Sequence, residues 1–436
     1  MGILGKKATI MILQSYKGKK IGIWGFGKTG QSVLKYIAPF TNSITIIEPK
    51  PLSDEQLQLI KTHNAQLVPS EHVQQFLEYN DIIIPSPGVD LRPYALWSEK
   101  YISELALFGQ RVTCKTIAIT GSVGKTTVVT LLTQILNTLG KKAIAVGNIG
   151  APMLDVLQDQ DKYDIIVLEL SSFQLEQPHH FAPSIAALTN LFPNHLDRHG
   201  DLAAYAQAKG QLFAHQTETD KAIVPMEFLD ACIPYTKKQK VLWLSEGAYK
   251  DDIIKSLSDI TFEKNWNLIF AILEQLTITP DQVAQIASTL HIPEHRFERV
   301  ATHKGISFYN DSKSTIPEAT LESIIRCNKQ PLRLFLGGIS KGVDRSDLIK
   351  QLPKTVQSVL CFGKEAQTLH ILCQKEGIIS SCHNTLEDAW KQCMAQSKEG
   401  DIVLFSPAGA SYDLFANYEE RGKVFKQLVH NFIKQH

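Results

Sequence analysis

The stretch "TCKTIAITGSVGKTTVVTLLTQILNTLG", residues 113–140, does most to limit what this chain can fold into. Its apolar run reads as a buried strand, its glycines as a tight loop, and the long segment after them as a helix that Gly140 stops. A strand that passes straight into a helix through such a loop belongs to a parallel-sheet α/β domain. Gly121, Ser122, Val123, Gly124, Lys125, Thr126 and Thr127 form a phosphate loop of variant pattern, because the usual first glycine would fall at Ile119. The physics survives that change: loop N–H groups and a helix N-terminus can still face an anion. Lys125 would reach the β- and γ-phosphates of a nucleotide, and Thr126 would offer its hydroxyl to magnesium. The competing reading is an ordinary glycine turn. Strand, Gly-Lys-Thr-Thr run and long helix in the right order favour the phosphate loop.

The same strand-then-turn pattern recurs along the 436 residues. "KIGIWGFG" and "SITIIEP" flank the helical "TGQSVLKYIAPF", and "DIIIPSPGV" adds a third strand. After "LHIPEHRFERV" the pattern restarts with "GISFYNDSKST", "LRLFLGG", "SVLCFG" and "DIVLFSPAGAS". The expectation is three α/β domains in series: a Rossmann-like domain over 1–103, a central P-loop parallel-sheet domain over 104–293, and a Rossmann-like domain over 294–436. A net charge of +1 gives no field that would attract nucleic acid or anionic lipid. No apolar run reaches the ~20 residues that span a bilayer, and the first 20 residues lack a signal-peptide core, so the chain reads as cytoplasmic. Seven cysteines without C-x-x-C or zinc spacing read as isolated reduced thiols.

Gly25, Gly27 and Gly30 stand at G-x-G-x-x-G spacing with Glu48 eighteen residues on, a pattern that by itself would suggest a nicotinamide cofactor. Glu169 closes the run Ile165–Leu168, where an acid at a strand end can sit in a magnesium shell; a phosphate loop upstream strengthens that reading. His195, Asp197, Arg198 and His199 cluster within five residues, with Lys209 on a following helical segment. Taken alone, this stretch is compatible with a metal site lacking a convincing third ligand or with a solvated charged loop.

Taken together, "GSVGKTT", "GNIG" (147–150), "ELSSFQLE" (169–176), "TNLFPNHLDRHG" (189–200), Lys209, "HRFE" (295–298) and "NDSKST" (310–315) resemble the ATP-dependent Mur ligases of peptidoglycan synthesis. The resemblance covers all three domains, in family order. Within that family, "YNDSKST", "LGGISKG" (336–342) and "SPAGASYDLFANYEERG" (406–422) resemble the member that adds D-glutamate to UDP-N-acetylmuramoyl-L-alanine. The resemblance implies an ATP-dependent amide ligase working through an acyl phosphate, with two magnesium ions, as a monomer.

It also implies residue roles. Lys125, His195 and Lys209 would be catalytic; Thr126, Glu169, His195 and Lys209, the last as a carbamate, would hold magnesium. A bare lysine would repel that ion, whereas a carbamate oxygen could bind it. Gly121–Thr127 with Asn267, Arg296 and Asp311 would bind ATP: Asn267 on the adenine side, Arg296 at phosphate and Asp311 on the ribose hydroxyls. Asn148 would touch substrate or phosphate, and Thr315, Lys341, Ser411 and the Tyr418 backbone would hold the two carboxylates of D-glutamate. In the first domain Lys28, Thr29, Ser86 and Gly88 would lie near a diphosphate, and Glu48 and Lys50 near uridine. The glycine fingerprint then marks a UDP site in place of a nicotinamide site. Trp266 stands where the family usually has histidine and Phe270 where it often has asparagine. The alternatives are another Mur-type ligase with a different acceptor amino acid, a folylpolyglutamate-type enzyme, against which residues 1–103 argue, and a non-catalytic nucleotide-binding relative.

Overall fold

The computed structural model describes residues 16–435 apart from 237, 246, 250, 259, 328, 329 and 341. Three sheets organise the chain. The first comprises β1 (Lys20–Trp24), β2 (Ser43–Ile47), β3 (Gln66–Val68) and β4 (Ile82–Pro85), all parallel, in the order β3-β2-β1-β4. The second comprises β5 (Lys115–Thr120), β6 (Ala143–Gly147), β7 (Ile165–Glu169), β8 (Ile185–Leu188), β9 (Lys221–Pro225) and β10 (Lys240–Leu244), in the order β10-β9-β8-β5-β7-β6 and again wholly parallel. Strands such as Ile165–Glu169 are buried along their whole length, which is why they read as continuous apolar runs with no alternation.

The third sheet comprises β11 (Glu298–His303), β12 (Ile306–Asn310), β13 (Leu332–Gly337), β14 (Val356–Phe362), β15 (Ser380–His383) and β16 (Ile402–Phe405), in the order β11-β12-β16-β13-β14-β15. Its edge strand β11 is antiparallel to β12, and the remaining pairs are parallel. Residues alternate between two cores across this sheet. Leu334, Leu336 and Leu404 pack on one face, and Phe335, Val403 and Phe405 on the other. Phe405 stacks on Phe425 with ring centroids 4.5 Å apart.

The helices needed below are α1 (Lys28–Ile37), α2 (Glu104–Gly109), α3 (Lys125–Thr138), α4 (Leu202–Ala214), α5 (Glu263–Glu274) and α6 (Tyr418–Gln435). The chain divides into two compact units. One runs through Leu191 and takes in Ala206–Ser256 and Lys264–Leu290, so it carries the first and second sheets. The other takes in Phe192–Tyr205, Leu257–Glu263 and the chain from His291 onward, with the third sheet. Among the described residues no helix is long and apolar enough to cross a membrane.

Candidate active site

In the second sheet β5 is flanked by β7 and β8, and successive strands depart to either side of it. The loop after β5 therefore opens at the topological switch point, where open α/β sheets gather ligands. Gly121 has φ +142°, and a Cβ there would come within 1.9 Å of Thr189 Oγ1. Gly124 has φ +85°, and its Cβ would meet Asn265 Oδ1 at 2.6 Å. Both glycines are required by conformation and by space. Residues 189 and 190 clamp the loop between them. Thr189 donates to the Val123 carbonyl at 2.6 Å, and Asn190 Oδ1 accepts from Val123 N at 2.9 Å. Helix α3 starts at Lys125 without a side-chain cap, and the positive end of its dipole suits an anion. Thr126 and Thr127 are buried in that turn, as is Ser122 in the loop.

Lys125 Nζ donates to the carbonyls of Gly121 at 2.7 Å and Ser122 at 3.0 Å. Lys209, on α4 and 2% exposed, donates to the same Gly121 carbonyl at 2.8 Å. Burial, and then the Lys125 charge, hold the Lys209 amine well below the usual lysine range, against an opposing pull from Glu169. Glu169 ends β7 and is 1% exposed; its Oε1 accepts from Asn148 Nδ2 at 2.7 Å, while its Oε2 is buried without a hydrogen-bond partner. A buried carboxylate oxygen left unsatisfied beside a phosphate loop suits a hard cation. Asn148 itself is exposed, and its N–H is anchored to the Glu169 carbonyl at 2.9 Å.

A cleft in the same unit is lined by Thr189, Leu244, Ser245, Lys264, Asn267 and Leu268, and it shares Thr189 with the loop clamp. Asn267 Oδ1 is buried with no partner, so this amide has unused hydrogen-bonding capacity. Trp266 and Phe270 are fully buried on α5 and stack on each other at 5.5 Å. These two positions that depart from the family pattern are core positions here.

The glycine loop after β1 is held from both sides. Glu48 Oε2 accepts from Phe26 N at 2.6 Å and Oε1 from Lys50 N at 2.9 Å, while Gln56 donates to the Phe26 carbonyl at 2.7 Å. Glu48 thus spends both oxygens on backbone and shapes the loop. Ser86 donates to the Gly25 carbonyl at 3.1 Å, and a Cβ at Gly30 would lie 2.1 Å from that same oxygen. Lys28, Lys50, Gly27 and Gly88 are exposed, and Thr29 is half-buried. Helix α1 begins after Gly27 with no side-chain cap.

The other unit carries the remaining expected residues. His195 has φ +55° and precedes the short helix Leu196–His199; it is grouped with the third sheet, not with Lys125 and Lys209. Arg296 lies between two residues of left-handed backbone, His295 at φ +64° and Phe297 at φ +46°. Asp311 is fully hydrogen-bonded: Oδ2 accepts from Ser323 at 2.6 Å, from Ser406 at 2.9 Å and from Ser314, and Oδ1 accepts from Phe297 N at 3.1 Å. Burial nevertheless raises its pKa. Thr315 is half-buried and Ser411 buried. The Tyr418 carbonyl accepts from Ser312 Oγ at 2.8 Å, and its hydroxyl accepts from Lys313 at 2.6 Å. Lys341 lies outside the described residues.

Sequence reasoning missed Arg421. It is wholly buried and donates to Ser312 Oγ at 3.0 Å, to the Ser312 carbonyl at 2.6 Å and to the Gly409 carbonyl at 2.9 Å. It therefore ties the Asn310–Thr315 loop to the Pro407–Ser411 loop. It lies in the motif "SPAGASYDLFANYEERG", where no role was assigned to it. Among the described residues no group of three or more His, Cys, Asp or Glu side chains is placed to hold a metal ion, and the seven cysteines are free.

The switch-point loop, its lysines and its uncapped helix define a P-loop nucleotide-binding α/β protein. The chain belongs to the Mur ligase family. The MurD N-terminal domain matches residues 20–94, the Mur ligase middle domain 119–285, and the Mur ligase glutamate ligase domain 295–409. The chain is 33% identical to a UDP-N-acetylmuramoylalanine–D-glutamate ligase of Koribacter versatilis, over 96% of this chain and 99% of that one. A relative of the same name from Bacillus mycoides is 32% identical, with the same coverage. The fold is similar to MurF from Acinetobacter baumannii (TM-score 0.58, 13% identity, covering 97% of this chain and 98% of that one). It is also similar to a UDP-N-acetylmuramate–alanine ligase, MurC, from Thermotoga maritima (TM-score 0.57, 14% identity, covering 96% and 100%).

Proposed function

We propose that this chain joins D-glutamate to UDP-N-acetylmuramoyl-L-alanine in peptidoglycan precursor synthesis, driven by ATP. The observation that carries the reading is identity of about a third, over 96% of the chain, to relatives bearing that name. The phosphate loop, half-buried Lys125 and buried Lys209 stand in support.

A carboxylate is a poor acyl donor because oxide is a poor leaving group. In the proposed reaction the alanine carboxylate oxygen attacks the γ-phosphorus of ATP, the β–γ bridging P–O bond breaks, and ADP leaves. The amine of D-glutamate then attacks the acyl carbon and loses a proton. A C–N bond forms, the C–O bond to phosphate breaks, and phosphate departs.

Lys125 and the N–H groups of residues 121–127 carry the charge that builds on the transferring phosphoryl group. Asn267 faces the adenine, Arg296 a phosphate. Asp311 is assigned to the ribose, which would require one of its serine donors to be exchanged for a ribose hydroxyl. Glu169 and Thr126 would hold one magnesium ion, and His195 and a carbamylated Lys209 are assigned to a second. Magnesium, when bound, supplies Lewis-acid neutralisation of the phosphate oxygens. Asn148 is assigned to substrate. Lys28, Thr29, Ser86, Gly88, Glu48 and Lys50 are assigned to the UDP half; Glu48 acts by shaping the loop. Thr315, Lys341, Ser411 and Tyr418 are assigned to D-glutamate. The domain boundaries at 103/104 and 293/294, a monomeric state and a cytoplasmic location belong to the same proposal.

The test is phosphate release from ATP with UDP-N-acetylmuramoyl-L-alanine and a panel of amino acids. Release stimulated by D-glutamate alone supports the reading, and stimulation by another amino acid in its place overturns the acceptor assignment.

A further inference from the structure

Glu104 opens α2 directly after its cap Ser103, yet it is only 4% exposed. Its Oε1 is buried with no hydrogen-bond partner. The N–H groups of Met153 and Leu154 and the hydroxyl of Thr29 face the carboxyl. The segment Ser172–Leu175, which packs on α2, has no ionisable side chain, and the acid facing Glu104 is Asp155. Burial is the largest influence and pushes the Glu104 pKa up to about 7, with Asp155 adding to it. Asp155 in turn accepts from Ser32 Oγ at 2.6 Å. Two acids thus meet α1 at Thr29 and Ser32, within the first two turns of an uncapped helix whose only lysine in that region, Lys28, is exposed.

Glu104 stands apart from the residues assigned to ATP, magnesium, D-glutamate and the nucleotide sugar. If ionised, it would set a negative charge against the positive end of α1, where a diphosphate would compete with it. If neutral, it would leave that end to the anion while still accepting the Thr29 hydroxyl.

We propose that Glu104 is a positioning residue for the diphosphate-bearing substrate: its protonated form holds Thr29 and the first turn of α1 ready for the anion, and binding of the anion draws a proton onto it. The proposal rests on the reading of the glycine loop as the UDP site. By linkage, substrate binding weakens as pH rises past neutrality, about tenfold over two pH units.

The experiment is titration calorimetry of the full chain with UDP-N-acetylmuramoyl-L-alanine, whose diphosphate diester does not titrate in this range. It is run near pH 6.5 and 8.5, in two buffers of different ionisation enthalpy, for wild type and Glu104→Gln. The expected result is weaker wild-type binding at the higher pH with net proton uptake, whereas Glu104→Gln binds equally at both values without uptake. A wild type that binds with no proton uptake overturns the proposal alone, and that measurement does not depend on the variant folding. Uptake that persists in a folded Glu104→Gln also overturns it. A wild type that does not bind the nucleotide sugar at any pH overturns the UDP reading, and the proposal with it.

Discussion

Lys125 and Lys209 donate to one and the same carbonyl oxygen, that of Gly121, at 2.7 and 2.8 Å. Two ammonium groups on one oxygen repel, and Lys209 is the more deeply buried, so it is the one whose charge is suppressed. Both influences favour the neutral amine, whose nitrogen carries an electron pair. That is what attack on carbon dioxide requires, and it gives the carbamate assignment a physical basis.

Loss of Lys125 removes the cation assigned to the transferring phosphate. Lys125→Ala is expected to lower the rate of phosphate release by about 10²–10³-fold, the usual scale for deleting a group that stabilises transition-state charge. The check is steady-state turnover with both substrates. A variant within about threefold of wild type would remove Lys125 from the chemistry.

Activity of protein depleted of carbon dioxide should recover on adding bicarbonate, and Lys209→Met should show no such recovery. The same variant should be more stable than wild type in the absence of bicarbonate. The sign follows from linkage. The folded pKa of Lys209 lies below 10.5, so the folded state carries a penalty that is complete at acidic pH and fades as pH rises toward 10.5. Denaturation across pH should therefore show the stability gain of Lys209→Met shrinking as pH rises.

Gly124→Ala forces a Cβ into left-handed backbone 2.6 Å from Asn265 Oδ1. The conformational part alone costs about 1–2 kcal/mol. Nucleotide affinity, read by equilibrium binding of ATP, should fall more than stability does, because the loop rather than the core must shift.

Arg421→Met leaves Ser312 and the Gly409 carbonyl without their buried donor. Hydrogen bonds to a charged group are each worth about 1.5–3 kcal/mol, so denaturant unfolding should show a loss on that scale or above. The KM for D-glutamate should rise more than that for ATP, since the two loops braced by Arg421 carry Thr315 and Ser411, both assigned to the acceptor, and only Asp311 there is assigned to ATP. Equal changes in both would place its effect in global folding.

Much of the architecture was legible because its signals are local. Strand, glycine loop and helix follow one another in sequence at residues 115–138, and the φ values of Gly121 and Gly124 are the kind that glycine signals. The glycine fingerprint after β1 was legible as a strand–loop–helix turn for the same reason. The antiparallel β11 was not, because its six residues lack the apolar continuity of a central strand. Trp266 and Phe270 looked like departures within a ligand set, and only packing shows that they stack in the core. Asp311 was recognised as a motif residue, but its serine partners lie up to 95 positions away.

Sequence alone determined the three α/β domains, the phosphate loop and the residue types available at the strand ends, because those depend on neighbours along the chain. Tertiary structure decided which ionisable groups are buried and what they face. Glu104 and Arg421 carry ionisable side chains that local sequence does not bury, yet 4% of the first and none of the second meets solvent. Lys209, an ordinary helical lysine by its neighbours, is likewise buried beside Lys125 and Glu169. Desolvation and the field of distant charges shift the ionisation of such groups, and both depend on what the fold brings close, not on spacing in the sequence.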